Sequence, residues 1–222
     1  MINCEVVLLS RKIGFDLLFV AILVIASFAL ITNGKTWTPF LFIAPVYLLF
    51  FRGVKDKFTA VKIGTLLVGH IIFYLMSLGW MSSYVWIFSA LMLINILEAG
   101  SLDLKRKNYW LFGLALGLAL SFMNFSIVWA EDIIVTSGSY FLAWAILYTV
   151  WNFLFILKNF KKEVAFFHLP MLITPFIVMA LTSDEGGWLL VRSYSLLIGL
   201  SFQEFVGEKV KQRFRYSKPA LV

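Results

Sequence analysis

With 222 residues, 61% of them hydrophobic and only 14% charged, the chain cannot cover a globular surface with polar groups, since soluble domains carry roughly 25% charged residues. Its mean hydropathy of +0.91 and the lengths of its apolar runs point to spanning helices rather than barrel strands. The single cysteine, Cys4, excludes an internal disulfide and a thiolate metal cluster, and the net charge of +7 is read first as membrane orientation rather than as a nucleic-acid surface.

The expected fold is an all-α, polytopic helical bundle forming one transmembrane domain over 1–222. Arg11 and Lys12 precede the run 13–31, which is too long for the apolar core of a typical signal peptide and is read as the first span. The run 37–51 is short. Pro39 fits a first helical turn and Pro45 should kink the helix, so a re-entrant segment competes with a full span there. The remaining spans are expected at about 61–80, 82–99, 109–130, 140–157, 164–182 and 188–206.

Charge selects eight spans with both termini cytoplasmic, in a membrane of the inner or plasma type. That arrangement puts every Lys and Arg except Lys35 and Arg192 on the inner side, and leaves the outer loops WAEDIIVTSGS and SDEGG acidic or neutral. Trp37, Trp80, Trp86, Trp129, Trp144 and Trp188 then fall near the outer interface and Trp110 near the inner one, as an aromatic belt requires. Trp151 lies too deep for the belt.

Polar residues inside spans are costly, so each is a functional candidate. On the fifth span Gly113, Gly117, Ser121 and Asn124 form a small-residue stripe suited to close approach of another helix or a second copy of the chain. On the eighth, Arg192, Ser195, Gly199 and Gln203 share a stripe with Glu204 beside it. Arg192 lies about one turn below the outer surface. There it either snorkels or pairs with Glu131, Asp132, Asp184 or Glu185, or else it binds a substrate anion. His70 sits mid-span with Tyr74 and Ser77 on its face. Its titration near neutrality suits a proton relay or a ligand contact as well as it suits packing.

A second group lies near the cytoplasmic side. Asn95 and Glu98 close the fourth span, Gln203 and Glu204 lie at the matching depth of the eighth, Asp16 enters the first, Trp151 and Asn152 approach from the sixth, and His168 lies one turn into the seventh. Asp16 can pair with Lys12, Glu98 with Lys105 or Arg106, and Glu204 with Lys209 or Lys211. Against those surface pairings, Glu98 and Glu204 each stand at the helix end where the dipole disfavours a carboxylate, which suggests one shared site. A thin likeness between LINILEAG and LIGLSFQEFVG, and one histidine in each half, would fit a four-plus-four repeat or coincidence. Tyr148, Trp151, Asn152 and Phe155 form an aromatic face that could stack a flat ligand or simply pack.

No Walker-type loop, HExxH or GxSxG motif is present, which argues against nucleotide hydrolysis and a zincin-type metal site; no metal or cofactor is expected. The leading expectation is a small-solute or ion transporter or channel with a polar cytoplasm-facing site, His70 deeper on the path and Arg192 near the outer mouth. A membrane-embedded enzyme acting on a lipid or isoprenoid is the rival, with Glu98 and Glu204 as general acid and base. A structural or assembly subunit is the third. The expected partners are the lipid bilayer and a small solute or lipid, with no nucleic acid.

Overall fold

The computed structural model describes residues 57–80, 85–130, 133–160, 162–182 and 187–200, together with scattered helical residues at 21–22, 24–26, 29 and 48. Most of the expected span 13–31 and nearly all of 37–51 lie outside the described residues, as do Asp16, Gln203 and Glu204. Within the described part the chain is mostly helical. Its elements are α1 (Lys57–Ser77), α2 (Trp86–Lys105), α3 (Tyr109–Phe122), β1 (Ser126–Ala130), β2 (Ile133–Ser137), α4 (Phe141–Asn159), α5 (Lys162–Thr182) and α6 (Trp188–Leu200).

The expected span 109–130 is corrected. Its helix stops at Phe122, and residues up to Ser137 form an antiparallel hairpin. Ala130 pairs with Ile133 and Ser126 with Ser137. The cause is local chemistry. Two runs rich in β-branched residues, SIVWA and IIVTS, flank two polar residues, which is a hairpin pattern. Hydropathy alone reads the first run as a continuing helix.

The turn from α2 to α3 closes on backbone groups. Lys107 takes a left-handed conformation at φ 61°, its N–H donates to Leu104 O at 3.0 Å, and Asn108 N–H donates to Asp103 O at 2.8 Å. These are the two bonds of a Schellman cap, which satisfies the last carbonyls of α2. The same corner is tied to α4. Asn159 Nδ2 donates to the fully buried Asp103 Oδ1 at 2.6 Å, and Arg106 Nη1 donates to Asn159 O at 2.5 Å.

The main core lies between α2, α3 and α4. A Cβ placed on Gly100 would meet Ala115 Cβ at 3.0 Å, so small residues bring α2 and α3 together. The face doing this is not the one expected: Gly113 and Gly117 have no described atom within 4 Å of an added Cβ. An aromatic column runs down α4, with Trp144 stacked on Tyr148 at 5.3 Å and Trp151 on Phe155 at 5.9 Å. Trp188 of α6 meets Trp144 and Tyr148 edge-on at 6.1 and 5.6 Å. Trp80, Trp86 and Trp110 are exposed, whereas Trp144 and Trp188 are buried in this column, so packing and not an interfacial belt accounts for those two. On the other side Ile63, Leu66 and Leu67 of α1 pack with Leu197 and Leu200 of α6.

Among the described residues two helices, Trp86–Lys105 and Phe141–Asn159, are long and apolar enough to cross a membrane. Only 33% and 39% of their apolar windows is buried, whereas the core helix of a soluble domain would be mostly covered. The uncovered surface is mostly aliphatic: Ile94, Leu97 and Leu104 on α2, beside Trp86, and Leu142, Ile146, Leu147 and Val150 on α4. Exposed apolar area of this extent marks contact with lipid or another protein.

Candidate functional site

α1 and α2 run antiparallel with Lys62 opposite Glu98, Thr65 opposite Asn95 and Gly69 opposite Leu91. Leu91 Cδ1 would lie 3.2 Å from a Cβ on Gly69, and this close approach lets side chains near the N-terminal end of α1 reach across to α2. Lys62 Nζ donates to Asn95 O at 2.8 Å and to Asn95 Oδ1 at 3.1 Å. It also sits 3.2 Å from Glu98 Oε2, an ion pair rather than an aligned hydrogen bond. Asn95 Nδ2 donates to Leu91 O at 2.9 Å and to Thr65 Oγ1 at 3.3 Å. Lys62, Thr65, Asn95 and Glu98 thus form one network across the helix pair.

Thr65 and Asn95 also line a half-open cavity of about 60 Å³ between α1, α2, α4 and α6. His70, Tyr148 and Arg192 reach the same cavity, whose remaining walls include Phe73, Phe88 and Leu91. The volume exceeds the ~10–15 Å³ needed for one water, so it can admit a few waters or a small solute.

His70 is 3% exposed. Its Nδ1 lies 2.6 Å from Leu66 O, and since a carbonyl only accepts, Nδ1 carries the hydrogen. Its ring lies 4.5 Å from that of Tyr194. Nε2 has no hydrogen-bond partner among the described residues. The imidazole is therefore anchored on one edge and open on the other.

Arg192 is also 3% exposed and neither snorkels nor pairs with a described acid. Its anchor follows from a proline. Pro175 lies inside α5 and has no N–H to offer the carbonyl four residues back, which leaves Met171 O free. Arg192 Nη1 donates to that carbonyl at 3.2 Å and Ser195 Oγ at 2.9 Å. Gly199 lies against the Met171 side chain, so Arg192, Ser195 and Gly199 form the face of α6 that docks on α5. Arg192 Nε and Nη2 have no partner among the described residues. The Tyr148 hydroxyl approaches the guanidinium without meeting hydrogen-bond geometry.

The other expected site residues separate from this cavity. Trp151 is buried, and its Nε1 donates to Leu111 O at 3.2 Å, which makes it a strut between α4 and α3. Asn152 Nδ2 donates to the Tyr148 hydroxyl at 3.3 Å and so touches the site through Tyr148. His168 is half-buried, has contacts within the protein and does not line the cavity. Glu98 turns to Lys62 rather than to Lys105 or Arg106. Its expected approach to Glu204 lies outside the described residues.

Lys62 and Thr65 escape notice in the sequence because Lys62 reads as an orienting loop cation and a threonine in a span attracts no attention. The useful signal is spacing: Lys62, Thr65, Gly69 and Phe73 recur at helical intervals on the face that carries His70. Comparison with family models, with curated proteins and with solved structures finds no match to this chain.

Proposed function

We propose that this chain is a multi-pass membrane protein of eight spans with both termini cytoplasmic, and that it moves a small solute or ion through the cavity between α1, α2, α4 and α6. One observation carries this reading: a cavity lined by an imidazole and a guanidinium, on different helices, each of which carries buried polar atoms that no described residue satisfies. Buried polar groups are normally paired, and ionisable groups inside a membrane domain belong to pathways and ligand sites more often than to packing. The network of Glu98, Lys62, Asn95 and Thr65 extends the polar track from the cavity toward the end of α2 that the charge distribution assigns to the cytoplasm. The aliphatic faces of α2 and α4 suit lipid contact.

Swelling of proteoliposomes in isosmotic solutions of small anions, cations and neutral solutes tests the proposal. At least one solute is expected to enter faster than in protein-free vesicles, with a rate that depends on pH. His70→Gln, which retains hydrogen bonding but cannot titrate, is expected to keep the entry and flatten the pH dependence. Rates equal to those of empty vesicles for every solute overturn the transport reading, and an unchanged pH profile in folded His70→Gln removes His70 from the mechanism.

A further inference from the structure

We infer that the cavity binds a short-chain monocarboxylate, held side-on by the Nε and Nη2 edge of Arg192. This rests on the reading of the cavity as the solute site and goes beyond it by naming the solute's chemistry.

A guanidinium offers two useful edges. One is the pair of Nη atoms at its end, and the other is Nε with Nη2, the Nη on the side of the Nε hydrogen. Both members of the second pair point parallel N–H bonds at one target, which is the geometry that takes the two oxygens of a carboxylate. In this protein Nη1 already donates to Met171 O, so the end-on pair is partly engaged. Nε and Nη2 are left together, buried and without a described partner. The guanidinium is therefore held at Nη1, while its Nε and Nη2 edge lacks a described acceptor and the Tyr148 hydroxyl lies beside the group.

Charge and shape narrow the ligand further. The described charges around the cavity are Arg192, Lys62 and Glu98, and Lys62 lies within electrostatic reach of Arg192. Lys62 and Glu98 neutralise each other as an ion pair, so one positive charge remains, which calls for a monoanion. His70 supplies no second anion donor in its neutral form, because its hydrogen is on Nδ1 and Nε2 presents a lone pair. Phe73, Phe88 and Leu91 form the apolar part of the wall. A tetrahedral oxyanion would leave oxygens against hydrocarbon, at the cost of unpaired buried charge. A carboxylate puts both oxygens on one side and can turn an alkyl group to the wall.

The test is thermal unfolding of the purified protein in detergent, followed by tryptophan fluorescence at constant ionic strength and sodium concentration. Ligand that binds only the folded state raises the midpoint saturably. Acetate and propionate, exchanged for chloride, are expected to raise it, and acetamide, which has the shape of acetate without the charge, is expected not to. Phosphate is expected to act no differently from chloride. Arg192→Lys keeps the cation but loses the fork and is expected to weaken propionate binding at least about tenfold, the scale of one good bidentate contact. An absent response to carboxylates in the wild-type protein overturns the inference, and so does an equal response to chloride or acetamide; both outcomes are read on the wild-type protein, whether or not the variant folds. Binding without proteoliposome entry would sink the transport reading alone, and entry of other solutes without carboxylate binding would sink this inference alone.

Discussion

The two sides of α4 are finished to different degrees. On the side facing α3, Trp144 Nε1 donates to Leu118 O at 3.1 Å and Trp151 Nε1 to Leu111 O at 3.2 Å. Their rings stack in a column with Phe122, Tyr148 and Phe155. Each large aromatic group there is buried and each indole N–H just named has an acceptor. On the side facing α1 and α6, the buried groups His70 Nε2, Arg192 Nε, Arg192 Nη2 and Tyr194 Oη have none among the described residues. Both regions are equally hidden from solvent, so burial does not distinguish them. Hydrogen-bond accounting does so in part: the indole N–H groups of Trp144 and Trp151 have acceptors, whereas the four atoms just named, and Trp188 Nε1 where α6 meets the column, have none among the described residues.

This contrast implies that mutations on the two sides act on different observables. The largest effect belongs to the finished side. Trp151→Ala removes a fully buried indole and is expected to cost about 3–5 kcal/mol of stability, read as a lowered unfolding midpoint in detergent, while propionate binding per folded molecule stays unchanged. A matching loss of ligand affinity would show that the column is part of the site.

The open side should respond with smaller stability changes and larger functional ones. Ser195→Ala deletes one of the two side-chain donors to Met171 O and is expected to cost about 1 kcal/mol in stability, the usual net value of a hydrogen bond. Because Arg192 shares that carbonyl, the loss should also be visible in carboxylate affinity. An effect on stability with none on affinity would separate the α5 contact from the site. The smallest effect is expected on neither side. Gly117→Leu enters a space with no described atom within 4 Å of its Cβ and should change monomer stability by less than ~0.5 kcal/mol. A change in oligomeric state, measured by light scattering of the detergent complex, would instead identify the Gly113, Gly117 and Ser121 stripe as a contact between copies.

The helical part of the fold is readable because the apolar runs are long and separated by charges. The expected 82–99 and 140–157 correspond to Trp86–Lys105 and Phe141–Asn159 with boundary shifts of a few residues. The hairpin is not readable by hydropathy, since SIVWA is as apolar in a strand as in a helix. Of the site, His70, Asn95 and Arg192 are conspicuous as polar residues in apolar surroundings. What holds them is less visible. The anchor of Arg192 is a backbone carbonyl, freed by a proline seventeen positions earlier in the sequence, and main-chain groups carry no letter of their own. Lys62 is hidden by its charge, which fits the orientation rule so well that it masks a second role.

The hairpin has a consequence for the membrane itself under the proposed topology. A two-stranded sheet pairs only its inner edges, and no third strand joins it among the described residues. The outward N–H and C=O groups of Ser126–Ala130 and Ile133–Ser137 therefore need water or headgroups, because hydrocarbon cannot satisfy them. The hairpin acts as a float, and it fixes the level at which α3 ends. With 14 residues, α3 is about 21 Å long, roughly 9 Å short of a typical hydrocarbon core. Leu116 and Leu120 are exposed on that helix, so lipid beside it meets a short wall. The bilayer has to thin there, leaving a dimple in its outer surface alongside α3.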